Sequence, residues 1–235
     1  ALYRAERYAE IVDLLQADTI WPYKRWAVRA LAAMGRKSDA IRYAEACRGP
    51  WTSGLEVDAL CEEVLRSSGL VDEAYRRYGL RANRGGTYLA TFRAVVRKYP
   101  HKAAADILDD LVRTTPGEEG KWFAAAKEAG LYDEALALAS RSPTDPKTLT
   151  RAARDLADKH PAFALGAGLL ALHWLAEGYG YEITSADVWT AYACTMGAAE
   201  NTGSVADARE RVRALVAHER PGGFVRQILG ADLGM

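Results

Sequence analysis

Four short segments of this 235-residue chain share one pattern, and no other feature narrows its possible folds as far. Gly35–Ala40, Gly69–Ala74, Gly130–Ala135 and Gly203–Ala208 each read G-x-x-x-[DE]-A, with the acid at Asp39, Glu73, Glu134 and Asp207. With 20 Gly, 31 acids and 44 Ala in the chain, chance would supply about 0.5 such matches. Glycine accepts the left-handed conformation that ends a helix, an acid is favoured in the first turn of the next, and alanine lets two helices approach closely. Each segment therefore reads as the turn of a helical hairpin.

The turns lie 34, 61 and 73 residues apart, so each longer gap has room for one further hairpin. Lys98-Tyr99-Pro100 and Lys159-His160-Pro161 repeat at the same 61-residue offset as Gly69 and Gly130. At that offset Thr87 maps onto Thr148, Ala103 onto Ala164 and Leu108 onto Leu169, so 69–108 reads as a duplicate of 130–169. Apolar spacing supports helices on both sides of the turns: Leu60, Val64 and Leu65 before Gly69, and Val71, Ala74, Tyr75 and Tyr78 after it. Leu89, Phe92, Val96 and Tyr99 form another stripe, with Pro100 expected to open the following helix.

Helix pairs are expected near 21–47, 55–81, 87–114, 118–141, 147–177 and 185–218, with almost no strand signal. The fold class is all-α, a right-handed αα superhelix of hairpins over 1–220, followed by a tail at 221–235 with a short helix. Arg7–Val12 resembles the second helix of a hairpin that lacks its first, and with the Ala1 start this suggests a parent chain continuing upstream.

These turns resemble those of the tetratricopeptide (TPR-like) superfamily, whose units of about 34 residues carry a glycine turn and a small residue five positions later. The likeness covers Gly35 and Ala40, Gly69 and Ala74, Gly130 and Ala135, and Gly203 and Ala208. It departs seven positions before each glycine, where Val28, Glu62, Phe123 and Met196 replace the usual small residue. The chain also resembles the helical regions that accompany SWIM-type zinc fingers in bacterial proteins, without the finger cysteines. Both resemblances imply a non-catalytic interaction module of a larger protein.

Composition excludes much else. Lys plus Arg and Asp plus Glu both total 31 and 49% of residues are hydrophobic, which rules out a disordered, collagenous or strongly polybasic chain. Cys47, Cys61 and Cys194 form no C-x-x-C, so neither a disulfide framework nor a zinc knuckle is expected, and a reducing, cytoplasmic setting follows. Pro161–Ala176 is uncharged over sixteen residues, short of the roughly 17 to 25 of a membrane span, and reads as a buried core helix. No signal peptide is visible.

His101, His160, His173 and His218 are too scattered for a metal motif. His173, beside Trp174, is expected to be a hydrogen-bonded core histidine. The adjacent acids Glu62-Glu63, Asp109-Asp110 and Glu118-Glu119 point about 100° apart on a helix and read as solvated faces. There is no nucleophile elbow, P-loop or dinucleotide fingerprint, so neither enzyme activity nor a cofactor is expected.

Binding is a different matter. Trp21, Tyr23 and Trp26 gather around Pro22, and Tyr179 and Tyr181 sit in a glycine-punctuated loop; Trp26, Tyr179 and Tyr181 are candidate partner contacts, unless these clusters plug gaps between repeats. Between Glu73 and Asp106 there is no acid, while Arg76, Arg77, Arg81, Arg84, Arg93, Arg97, Lys98 and Lys102 fill the interval. Arg77, Arg81 and Arg84 share a helical row and Arg93 and Arg97 flank the next stripe, which makes these five arginines candidate contacts too. The expected partner is a protein or peptide, or further domains of the parent chain. The alternative is a nucleic-acid-binding helical repeat using residues 76–102. A solvated basic face is the plain explanation of the same run.

Overall fold

The computed structural model describes residues 1–220 and 222–235, so Pro221, the first residue of the expected tail, lies outside the described residues. The described chain is all-helical, 71% helix and without strands, apart from an isolated bridge between Gly49 and Thr52. It divides into two compact units, Ala1–Ala103 and Ala104–Met235.

All four G-x-x-x-[DE]-A segments close in the same way. Gly35, Gly69, Gly130 and Gly203 sit at φ of +77°, +78°, +73° and +67°, where a side chain would be strained. Each glycine N–H donates to the carbonyl three residues back, and the next N–H donates five residues back, as Arg36 N does to Leu31 O at 2.9 Å and Leu131 N to Ala126 O at 3.0 Å. This is the Schellman termination, and it satisfies carbonyls that a helix end leaves unpaired. The alanine that completes each pattern, Ala40, Ala74, Ala135 or Ala208, is wholly buried. Ala74→Leu and Ala135→Leu should each therefore cost about 1 to 3 kcal/mol by overpacking. Unchanged melting temperatures in both variants would contradict that packing.

The first unit contains α1 (Tyr8–Leu15), α2 (Trp21–Ala33), α3 (Lys37–Ala46), α4 (Gly54–Ser67), α5 (Val71–Ala74), α6 (Leu80–Ala82) and α7 (Tyr88–Lys98). Helices α1 to α4 pack each on the next, burying Val28, Leu31, Ile41, Val57, Leu60, Val64 and Leu65. A π-helical turn, Tyr75–Gly79, joins α5 to α6 where the sequence predicted regular helix. Gly79 is what lets the Tyr99 ring lie against this widened turn, since a Cβ there would stand 3.1 Å from the ring.

The second unit contains α8 (Ala104–Arg113), a 3-10 turn at Glu119–Trp122, α9 (Phe123–Glu128), α10 (Tyr132–Arg141), α11 (Pro146–Leu156), α12 (Pro161–Ala176), α13 (Ser185–Thr202), α14 (Val205–His218) and α15 (Phe224–Leu229). The uncharged helix α12 is the hub: α10, α11, α13, α14 and α15 all pack on it. Its Gly168 meets Thr195 of α13 so closely that a Cβ would fall 2.4 Å from the hydroxyl. Val225, Leu229 and Leu233 bury the C-terminal segment in this unit. Among the described residues no helix is long and apolar enough to cross a membrane.

Three expectations need correction. The duplicate register breaks down in detail: Leu108 and Leu169 are both buried, yet Ala103 is exposed while Ala164 is buried. Thr87 caps α7, accepting from Ala90 N, whereas the equivalent cap of α11 is Asp145, three residues before Thr148. Pro161 opens α12, but α8 begins only at Ala104, because Pro100–Lys102 fold into a turn that brings His101 and Lys102 to Asp72. The buried stripe of α7 is Thr91, Phe92 and Val95, continued by Tyr99, with Leu89 and Val96 only half-buried.

Candidate functional site

The basic interval of the first unit is acid-free along the chain but not in space. Arg77 pairs with Glu45 of α3 at 3.2 Å and with Glu73 at 3.0 Å. Arg81 reaches Asp58 of α4 at 3.3 Å, where Arg48 also pairs. Lys98 Nζ donates to Glu62 Oε2 at 2.5 Å, and Lys102 lies 3.7 Å from Asp72. Arg84, Arg93 and Arg97 are exposed, as is Arg76. The π turn alters the helical row on which Arg77, Arg81 and Arg84 were expected to align, and the first two turn to carboxylates of preceding helices.

Glu62 is the residue that sequence reasoning missed. Read as half of a solvated acidic pair, it is instead wholly buried. Its Oε1 accepts from Tyr99 Oη at 2.5 Å and Asn83 Nδ2 at 2.7 Å, and its Oε2 from Lys98. Asn83 Oδ1 in turn accepts from Lys98 Nζ at 3.0 Å, closing the ring of partners. A buried carboxylate persists only with such partners. No local signal marks this, since the donors come from 21 to 37 residues further along.

Nearby, the Tyr78 hydroxyl donates to Glu45, and this bond, helped by Arg77, holds the Glu45 carboxyl below its ordinary 4.5. A carboxyl lowered on folding adds stability above its unfolded value, lost as pH falls through the folded one. Acid should therefore weaken the first unit below about pH 4.5 through Glu45, among other carboxylates. Tyr78→Phe should move the NMR-titrated Glu45 value back up; an unmoved value would assign the effect to Arg77. Cys61, under the same helices, is wholly buried, and burial pushes its thiol up to about 11.

The aromatic candidates divide. Trp21 is core, whereas Trp26 is 38% exposed, 5.5 Å from the Tyr3 ring and with Arg29 5.4 Å over its face. Tyr179 stands edge-on to Trp174 at 5.2 Å, and Tyr181 is 80% exposed. Trp51, which carried no sequence signal, is 97% exposed on the Gly49–Thr52 turn.

In the second unit α10, α12 and α14 enclose an open groove of about 480 Å³. Leu136, Leu169, Leu170 and Leu215 make its apolar walls, with Ser140, His173 and Arg211 as polar groups. His173 is half-buried here, its ring 4.7 Å from Trp174, so it is a groove residue and not the core histidine expected. The core polar contact is made by its neighbour, as Trp174 Nε1 donates to Ala139 O at 2.8 Å.

No family model, curated protein or solved structure matches this chain. The likeness to tetratricopeptide hairpins therefore rests on the four turns themselves. His101 and His160 lie in different units and serve local contacts, His101 with Asp72 at 3.2 Å and His160 against the Tyr132 ring. Among the described residues no three His, Cys, Asp or Glu side chains converge as a metal site. Chemically, the first unit offers neutralised ion pairs, two of them on the buried carboxylates of Asp58 and Glu62, and the second an apolar recess edged by Arg211, which lies 3.8 Å from Asp207.

Proposed function

We propose that this chain is a non-catalytic protein-interaction scaffold of a larger bacterial-type protein, its hairpins stacked as a right-handed, TPR-like superhelix. The observation that carries this reading is the groove on α10, α12 and α14, where half-buried Leu136, Leu170 and Leu215 line an open recess. Its occupant on this reading is a partner peptide with leucine-like side chains and an acidic group for Arg211. Exposed Tyr179 and Tyr181 of the same unit supply further apolar contact, and exposed Trp26 offers a separate one in the first unit.

The nucleic-acid alternative loses support from the pairing of Arg77, Arg81 and Lys98 with Glu45, Asp58 and Glu62. Bases already matched to internal carboxylates release few counterions on a phosphate backbone. Peptide display on the purified chain tests the proposal. Selected peptides should share apolar anchors next to an acid, and Leu170→Asp should abolish their binding while Arg84→Glu leaves it intact. Selection of no such peptide, or retention of oligonucleotides at about 150 mM salt with loss on Arg84→Glu, would overturn it.

A further inference from the structure

Between α11 and α13 of the second unit lies a separate cavity of about 290 Å³, and its lining is strongly cationic. Lys147, Arg151 and Arg154 all reach it from α11, where spacings of four and three residues place them on one face. Asp187 of α13 is the acid that lines it. That carboxylate is already engaged: it accepts from Thr184 N and Thr184 Oγ1 at 2.8 Å as the capping box of α13, and lies 3.7 Å from Lys147 Nζ. Arg154 Nε pairs with Asp155 on its flank at 2.8 Å.

Arg151 has no acidic partner among the described residues. Its Nε donates to Lys147 O at 3.2 Å and its Nη2 to Thr148 Oγ1 at 3.3 Å, which fixes the guanidinium and leaves most of its five N–H groups directed elsewhere. Leu175 and Ile183 give the cavity an apolar wall. The loop at its mouth is closely built. Gly180, at φ +116°, lets Ile183 fold back to where a Cβ would be 2.6 Å from it. Glu182 takes a left-handed φ of +48°, and its carbonyl accepts from Lys147 Nζ at 3.2 Å.

We propose that this cavity binds a phosphate monoester with an apolar body, the phosphate on Arg151 and Arg154 and the body against Leu175 and Ile183. Lys147, Arg151 and Arg154 set against Asp187 and the flanking Asp155 leave a net charge of +1, carried by Arg151, a sign that favours the roughly −1.5 to −2 of a monoester near pH 7. Guanidinium forks suit phosphate oxygens, and a pre-oriented Arg151 loses little freedom on binding. The monoester belongs either to a small molecule or to a phosphorylated side chain of another protein. This inference is independent of the leucine groove.

Calorimetric titration of the full chain with phenyl phosphate, at about 20 mM salt, tests it. Saturable binding, at least about tenfold tighter than benzoate, is expected, with a loss of about tenfold in Arg151→Gln and none in Arg84→Gln, a matched charge change in the other unit. A phosphotyrosine peptide that binds more tightly than phenyl phosphate, its unphosphorylated form failing, assigns the monoester to a protein; equal binding assigns it to a small molecule. Arg151 is exposed, so melting of the variant should be unchanged. No saturable binding up to about 10 mM, benzoate binding as tightly, or an unaffected Arg151→Gln would overturn the proposal.

Discussion

Replacing Glu62 by alanine should destabilise the first unit by about 3 to 5 kcal/mol, because it strips the acceptor from three donors at once. Tyr99 Oη is wholly buried and has no route to water, and Asn83 and Lys98 lose the group that holds them together. Removing one member of a satisfied buried network costs the desolvation of whatever remains. For a unit of about this size the loss corresponds to a fall in melting temperature on the order of 10 to 20 °C. Glu62→Gln keeps one acceptor for Tyr99 and should lose less. An alanine variant within about 1 kcal/mol of the parent would mean that the network contributes nothing net, as some buried ion pairs do.

Gly120→Ala should be nearly as damaging in the second unit, at about 3 kcal/mol or more. Gly120 is docked on the segment after α10: its N–H donates to Ser142 Oγ at 2.8 Å and its carbonyl accepts from Thr144 Oγ1 at 3.0 Å. A Cβ there would stand 2.2 Å from Ser142 O and 2.3 Å from Thr144 Oγ1, and the first of these is backbone that cannot rotate away. Relief requires the 3-10 turn to leave Ser142 and Thr144, exposing two buried hydroxyls. Chemical denaturation should show the loss directly. An alanine variant of parental stability would mean that the turn shifts freely.

The four hairpin turns were legible because their chemistry is local: a left-handed glycine, an acid and a small residue within six positions dictate one backbone path. Helix α12 was legible for a similar reason, since sixteen residues without charge read as a core helix, and ten of them are buried. Glu62 and the π turn were not. A carboxylate is buried or solvated according to partners on other helices, and the pattern around Glu62 and Glu63 is the same for either. Counting charge along the chain also misjudged the basic interval, because the carboxylates that meet Arg77, Arg81 and Lys98 precede them by 4 to 36 residues. Thr87 and Thr148 show the limit of register arguments: a three-residue slip of the helix start hands the cap to Asp145.

Ion pairs tie the helices of the first unit together: Arg29 to Glu63, Arg77 to Glu45 and Lys98 to Glu62 between successive hairpins, and Arg81 to Asp58 within one. Where packed helices are held to their neighbours by such pairs, weakly coupled helices fray first. Here the couplings converge on α4, which holds Asp58, Glu62 and Glu63. Loss of α7 would strand the Glu62 carboxylate, and loss of α3 would strand Arg77 and the Tyr78 hydroxyl without Glu45. Amide hydrogens of α4 should accordingly exchange only when the whole unit opens, with those of α1 escaping far earlier.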